Sequence, residues 1–402
     1  MTKTASIVGG SISGLIIANL LFRSGWRVNV FEQSSRQLSD RGAGIVCHPK
    51  MITTFSKLGI NMPELGTWVE KRVYVSKDNE TNRYFDYPQL VVSWNNIYSA
   101  LLEKFPREHY HLGKTLNDVT TQSNYTRAVF NKTEYIESDL IIGADGIRSR
   151  VRNYITHANQ PKYAGYIVWR AVSNLEGVSD IRKKQFTFYM DSNQQILGYP
   201  IQRNNMQSER YNLVWYKAID QNALDRFLVD KYGKKHDYSV PPNRTDSNLI
   251  AEMLESASTE LPHFFSNLIN KSKAPFVSPV YDILTDRFST GRVVLVGDAA
   301  AVARPHVGMG VTKALLDCVA LHNKLEKISN IEEALSDYSI QQHRFADQIV
   351  NASRHLGSFI QKDQHSLNNE LKGEEISYIV ENTADYQFAI DEISDHYPRN
   401  SS

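Results

Sequence analysis

The sequence predicts an α/β protein: a parallel sheet with helices packed on it, interwoven with a mostly antiparallel sheet and completed by C-terminal helices. Three observations predict it. A strand, a glycine-rich turn, a helix and a second strand follow one another before residue 33. Two more short apolar runs, Asp139–Gly143 and Arg292–Val296, stop at an Asp-Gly or a Gly-Asp pair. Between them lies an aromatic, strand-like stretch, Tyr166 to Lys217, of the kind that forms antiparallel sheets.

In chain order, Thr4–Val8 is a short apolar run, Leu15–Ser24 is apolar at helical spacing, and Arg27–Phe31 is a β-type run ending at Glu32. Together they make a β-α-β unit of about 30 residues. Gly44–Val46 gives a further strand signal, Pro49–Leu58 a helix, Val73–Val92 paired strands and Ile97–Phe105 another helix. The aromatic stretch carries Tyr166, Trp169, Phe186, Phe188, Tyr189, Tyr199, Tyr211, Trp215 and Tyr216. Leu249–Leu254 and Phe264–Asn270 read as helical, and Leu315–Gln361 as largely helical with a break near Ser329-Asn330. In the polar tail, Ile376–Val380 and Tyr386–Ile393 are apolar enough to dock. With no repeat and no low-complexity linker, the chain is expected to weave between two domains. Residues 1–72, 94–165 and 275–362 form the first, 73–93 and 166–274 the second, and 363–402 a C-terminal tail.

A chain of 402 residues buries a sizeable core, and 41% hydrophobic with 22% charged residues is ordinary for a soluble globular protein. Basic and acidic residues number 45 and 44 with no basic run, which argues against a nucleic-acid or membrane partner. Cys47 and Cys318 are too few for a disulfide framework, so a reducing compartment, the cytoplasm, is expected. Ala5–Phe22 is interrupted by Gly9, Gly10, Ser11, Ser13, Gly14 and Asn19, unlike a signal peptide. No stretch approaches the roughly 20 apolar residues of a membrane span. No His/Cys/Asp cluster has metal-ligand spacing, and no Gly-x-Ser-x-Gly elbow occurs.

Three motifs carry chemistry. In Gly9-Gly10-Ser11-Ile12-Ser13-Gly14 the first glycine suits a tight turn, the middle position lets a pyrophosphate approach the backbone, and the third packs helix on strand. Ser11 holds the middle position; it is small and adds a hydroxyl donor. Glu32 follows near the roughly 20-residue spacing of the acid that binds a ribose 2′-hydroxyl. The second motif, Ala144-Asp145-Gly146, ends a buried strand and is followed by Arg148, Ser149 and Arg152. The third, Gly297-Asp298-Ala299-Ala300, leads to Arg304-Pro305-His306-Val307-Gly308-Met309-Gly310. There a strand-end carboxylate can bind a ribityl hydroxyl, glycines admit a planar ring, and the following helix aims its positive end at that ring. Taken singly, each Asp pair also reads as an ordinary strand-end turn.

The three motifs, in this order, resemble the single-component FAD-dependent aromatic hydroxylases, the family typified by para-hydroxybenzoate hydroxylase. The resemblance runs from about Thr4 to about Gly357. It implies a Rossmann-like FAD-binding domain interwoven with a mostly antiparallel substrate domain. By match, Gly9, Ser11, Gly14 and Glu32 bind the ADP half of FAD. Asp145, Gly146 and Arg152 serve the pyrophosphate and NAD(P)H, and Asp298 and Pro305 the ribityl chain. Finer features resemble the 2,6-dihydroxypyridine 3-hydroxylase branch: Arg41-Gly-Ala-Gly44-Ile45, Ser93-Trp94-Asn-Asn-Ile97-Tyr98 and the Arg304–Gly310 loop with Gly308 and Gly310. The sequence departs from the broader family at Trp94, where an arginine usually precedes the helix.

The resemblance further implies hydride transfer from NAD(P)H to FAD, a flavin C4a-hydroperoxide formed with O2, and hydroxylation of a small electron-rich ring, phenolic or hydroxypyridine-like. Deprotonating a ring hydroxyl makes the ring richer, which calls for a base of near-neutral pKa; histidine suits. His48 follows the Gly42–Val46 segment and His306 sits in the Pro-His-Val-Gly loop, so these two are the candidates. His109 and His111 are left with structural roles. Tyr216 is the candidate for binding a substrate hydroxyl or ring nitrogen, with Trp215 and Tyr199 as pocket walls or as sheet core. Arg170 sits on a solvated face or meets an anionic substrate, and Cys47 packs or lines the pocket. A homodimer is a further expectation. Two other readings remain at this point: an epoxidase, Baeyer–Villiger-type oxygenase or reductase acting on a larger substrate, and a flavin-binding redox sensor or docking protein without turnover.

Overall fold

The computed structural model describes residues 2–38, 44–78, 82–157, 160–175, 178–179, 182–191, 193–203, 206–361, 371–385 and 387. Thr4–Val8 lies at the heart of a six-stranded sheet, parallel to Arg27–Glu32 on one side and to Leu140–Gly143 on the other. Val293–Leu295 and Tyr110–Leu112 extend it in parallel, and Ser289–Thr290 closes one edge antiparallel. Leu15, Ile16, Ile17, Ala18 and Leu21 of the helix Ile12–Arg23 are fully buried in the core that includes these strands. Truncating one of them, such as Leu21→Ala, is worth about 2–5 kcal/mol. The helix Gly310–Lys327 packs beside Ile12–Arg23.

Register explains why motifs far apart in sequence meet. Val8 pairs with Gly143, and Gly143 with Leu295. The three strands therefore end together, and the glycine turn, the Asp-Gly pair and the Gly-Asp pair emerge at one carboxyl edge. That edge is where open parallel sheets bind ligands.

A nine-stranded sheet runs in the order Ala301–Val302, Lys273–Leu284, Lys162–Asn174, Met206–Ala218, Gln194–Arg203, Gln185–Asp191, Gly66–Val75, Asn82–Ser93, Gly44–Cys47. All neighbours are antiparallel except Gln185–Asp191 with Gly66–Val75. Strand membership differs in detail from the sequence-based division. Gly44–Cys47, Ala301–Val302 and residues 66–72, 162–165 and 275–284 were expected with the first domain but belong to this sheet. Gly44 and Gly66 take their partners from Ser93 and Val92, the end of the same long strand. A three-stranded meander, Leu116–Thr121, Thr126–Phe130 and Glu134–Ser138, has no counterpart in the sequence-based expectation.

The two-residue period of a strand divides the aromatic stretch into two faces. Tyr166, Val168, Tyr199, Val214 and Tyr216 share one core cluster. Ile167, Trp169, Tyr211 and Trp215 face the other way, against the helices Ser247–Glu260 and His263–Asn270. Trp215 is thus not a pocket wall: one residue from Tyr216, it points to the opposite face, where its Nε1–H donates to Gln194 Oε1 at 2.8 Å. The helical C-terminal third breaks as expected, because Asn330 caps Ile331–Leu356 by accepting from Glu333 N–H at 3.2 Å. A final helix, Gly373–Asn382, docks on the nine-stranded sheet. No helix among the described residues is long and apolar enough to cross a membrane.

Candidate active site

A cavity of about 550 Å³ lies between the carboxyl edge of the parallel sheet and the aromatic face of the nine-stranded sheet. Ser11, Ser13, Asp298, Pro305, Gly308 and Gly310 line it from the first side. Gly44, Arg170, Tyr199 and Tyr216 line it from the second.

The glycine turn is shaped by close backbone approach. Gly9 has φ +104°, in the region that favours glycine, and its N–H donates to Phe31 O at 2.9 Å. A Cβ on Gly14 would lie 1.9 Å from Gly9 O, so no side chain fits there. Glu32 is placed at the end of its strand as expected. Its carboxylate accepts from Gly10 N–H at 2.9 Å and Ser34 N–H at 2.8 Å, tying the second strand to the turn.

Asp145 does not line the cavity; its carboxylate accepts from Ser149 Oγ–H and from the N–H of Arg150 and Val151, capping the short helix Arg150–Ile155. Burial raises its pKa, and those hydrogen bonds pull it back. Gly146 follows with φ +73°. Arg152 is buried, and its guanidinium donates to Ala299 O at 3.1 Å and to Ile147 O, which locks the Asp-Gly motif to the Gly-Asp motif. Beneath the latter lies a network that sequence reading missed. Lys313 Nζ donates to Asp317 at 2.7 Å and to Gly297 O at 3.1 Å, and Asp317 also accepts from Gly297 N–H and Gln342. The i, i+4 spacing of Lys313 and Asp317 is its only sequence signal. Asp298, above it, presents an exposed side chain lining the cavity, where the surrounding protein still raises its carboxyl pKa. Arg41 lies outside the described residues, as does Tyr386–Ile393 apart from Gln387.

Both candidate histidines are fully enclosed and partnered. His306 lines the cavity, with Nδ1 3.2 Å from Gln195 Oε1 and Nε2 3.0 Å from Tyr166 Oη. An amide oxygen only accepts, so the neutral imidazole carries its proton on Nδ1 and accepts from Tyr166 at Nε2. His48 is not a lining residue; its Nδ1 lies 2.8 Å from Thr312 Oγ1 and its Nε2 donates to Ala384 O at 3.2 Å. The near-neutral imidazole expected from the sequence is not what either environment provides. Burial pushes His48 down to about 4 and His306 down to about 3, the charge of Arg304 adding to the second shift. The Tyr216 ring lies tilted against His306, ring centroids 4.4 Å apart, and burial raises its phenol to about 12. Tyr216 lines the cavity, and its hydroxyl makes no hydrogen bond to a described residue. Cys47 is buried in the core away from the cavity, its thiol pushed up to about 12. His109 and His111 both meet Asn29 Oδ1, and His111 stacks on Phe31.

The histidines make the fold acid-sensitive. In the unfolded chain both titrate near 6.5; in the folded chain they resist protonation until about pH 4 and 3. Their folded pKa values are depressed, so stability is complete above 6.5 and falls as pH drops. Each removes about 1.4 kcal/mol per pH unit through that window. Melting temperatures read from pH 7 to 4.5 should fall, with a shallower slope in His48→Gln and in His306→Gln. An unchanged slope in both contradicts the burial assignment.

The tail supplies residues the sequence gave little reason to choose. Thr383 and Ala384 line the cavity; Ala384 N–H donates to His306 O at 2.8 Å, and Ala384 O accepts from His48 and from Gln89. Arg72, 0% exposed, donates to Val380 O, Glu381 O and Gln89 Oε1 and lies over the Tyr87 ring. Its only sequence signal is a charge in a strand of apolar alternation.

The arrangement fits FAD. Two long helices, Ile12–Arg23 and Gly310–Lys327, begin at the cavity, and neither has a side-chain cap at its N-cap residue, Ser11 or Met309. Their first N–H groups call for acceptors, which a diphosphate and a flavin pyrimidine ring supply. Ser11 and Ser13 stand at the first helix, and Asp298, Pro305, Gly308 and Gly310 at the second.

Comparison with known proteins agrees with this geometry. The family model described as "FAD binding domain" matches residues 1–353. The chain is 30% identical to the 2,6-dihydroxypyridine 3-monooxygenase of Paenarthrobacter nicotinovorans, over 90% of this chain and 92% of the relative. It is 24% identical to the 6-hydroxynicotinate 3-monooxygenase of Pseudomonas fluorescens, over 87% and 89% respectively. The solved structure of 2,6-dihydroxypyridine-3-hydroxylase from Arthrobacter nicotinovorans superposes with a TM-score of 0.85 at 28% identity, covering 92% of this chain and 97% of that one. The chain belongs to the FAD binding domain family and is built as one of its FAD-dependent monooxygenases.

Proposed function

We propose that this chain uses FAD, NAD(P)H and O2 to hydroxylate a compact, electron-rich aromatic ring, phenolic or hydroxypyridine-like. The observation that carries the reading is the single cavity shared by two uncapped helix N-termini and an aromatic sheet face. FAD, when bound, supplies the hydride acceptor and the oxygen activation; the protein binds, orients and excludes water. Gly9, Ser11, Gly14 and Glu32 build the adenosine diphosphate end. Asp298, Pro305, Gly308 and Gly310 build the flavin end. Gly44 keeps the opposite wall thin, since a Cβ there would lie 2.3 Å from the Tyr199 ring. Asp145, Gly146 and Arg152 hold the connection between these ends and the NAD(P)H approach.

On the substrate side, the Tyr216 hydroxyl hydrogen-bonds a ring hydroxyl or ring nitrogen. His306, kept unprotonated by burial, accepts a hydrogen bond from the ring hydroxyl at Nε2 when substrate takes the place of Tyr166. His48 acts from behind, holding Thr312 and Ala384 in position. Tyr216→Phe and His306→Gln should each retain FAD while product per NAD(P)H falls, with kcat lowered roughly 10-fold for His306→Gln as its hydrogen bond to the ring is lost. His48→Ala should lower coupled turnover as well. Normal coupled turnover in Tyr216→Phe and His306→Gln would remove both from the chemistry. The two buried free thiols, Cys47 and Cys318, support a reducing compartment such as the cytoplasm. The homodimer remains part of the reading, and light scattering of the holoprotein decides it.

A further inference from the structure

Arg170 stands apart from the other arginines of the cavity region. Arg152 and Arg304 are each engaged, Arg304 with Asp282 at 2.8 Å and with Gln361. Arg170 is partly buried on the long strand Lys162–Asn174 and makes no hydrogen bond or ion pair to any described residue. The strand period puts it on the same face as Tyr166 and Val168. Its cross-strand partners, Val214 and Phe276, also line the cavity. It is not on a solvated face.

The charge inventory of the lining is short. Asp298, at the flavin end, and Arg170, at the aromatic end, are its two charged residues among the described residues. His306 cannot add a cation, because burial keeps it neutral. Arg170 shares the cavity lining with Tyr199 and Tyr216, and its charge opposes the burial that raises both phenols. A partly desolvated guanidinium without a counter-charge is costly, and an anionic ligand removes that cost.

Resting on the proposed function, we infer that Arg170 is the substrate anchor: it binds an anionic oxygen of the ring substrate, so the enzyme selects rings that enter as anions. That oxygen is either a carboxylate on the ring or an ionised ring hydroxyl. Tyr199 and Tyr216 donate beside it, and the face of the ring to be hydroxylated turns toward the flavin end.

The test uses FAD-loaded wild type, Arg170→Met and Arg170→Lys. Binding is read from the flavin spectrum for 6-hydroxynicotinate (carboxylated), 2,6-dihydroxypyridine (acidic, without carboxylate) and 2-hydroxypyridine (neutral). Wild type should bind at least one of the first two roughly 10-fold or more tighter than the neutral ring, and which one names the source of the charge. Arg170→Met should lose roughly 30-fold or more in affinity for that anion and less than 3-fold for the neutral ring. Arg170→Lys should recover part of the loss. Anionic rings that bind wild type no tighter than the neutral ring overturn the inference, as does an Arg170→Met enzyme that keeps the preference. In either case hydroxylation of the neutral ring leaves the oxygenase reading standing. Failure of that reading shows separately, as wild type that hydroxylates none of the rings it binds.

Discussion

Gly14→Val should yield a protein purified without FAD and unable to regain it on reconstitution. Even a Cβ at this position would sit 1.9 Å from Gly9 O, far inside van der Waals contact, so a branched side chain forces the helix Ile12–Arg23 away from its strand. The helix start is where Ser11 and Ser13 face the cavity, and its free N–H groups are the diphosphate-binding feature. Because Ile12, Leu15 and Ile16 of that helix are buried, the shift also disturbs the core, and a lowered melting temperature should accompany the loss. Flavin absorbance per chain is the measurement. A variant with the full flavin complement would show that the turn does not hold the cofactor.

Arg72→Met should have the second-largest effect, and a different signature. The guanidinium is buried with its donors spent on Val380 O, Glu381 O and Gln89, so it pins the last turn of the helix Gly373–Asn382 against the sheet. Burial pulls its pKa down, while the charges of Asp385 and Glu381 restore it. Removing it leaves those buried acceptors without donors, at a cost of about 1–3 kcal/mol each. The released segment includes Ala384, which bridges His48 and His306. FAD should remain bound through its diphosphate end, because the released segment touches the flavin side only where Ala384 packs on Gly308. Coupled turnover should fall by about 100-fold, and limited proteolysis should cut between residues 371 and 385. Turnover within 2-fold of wild type would show that residues 380–385 are packing and no part of the site.

The parallel half of the fold was legible because its signals are local. Thr4–Val8, the glycine turn, the following helix and Glu32 lie within one β-α-β unit, and each residue type has one backbone or ligand reason to be there. The convergence of Asp145 and Asp298 was legible for a similar reason, since each ends a parallel strand of the same sheet. What the residues near them do was less so. Asp145 spends its carboxylate on a helix end, and a sequence does not show whether a strand-end acid serves a ligand or a cap. Trp215 and Tyr216 differ by one residue and so by a whole sheet face, which only register decides. The roles of Arg72, Gln195 and Ala384 depend on contacts across more than a hundred residues, and no local pattern encodes them. Histidine chemistry was the hardest to read, because enclosure, absent from the sequence, moves both imidazoles well below neutrality.

The most direct test is to load the purified chain with FAD and supply NAD(P)H and 18O2 with a panel of hydroxylated pyridines and benzoates. A monooxygenase working in this cavity gives about one FAD per chain, ring-stimulated NAD(P)H oxidation, and one 18O atom per hydroxylated product. Ring-stimulated oxidation that returns all of its oxygen as hydrogen peroxide, for every ring tested, contradicts it.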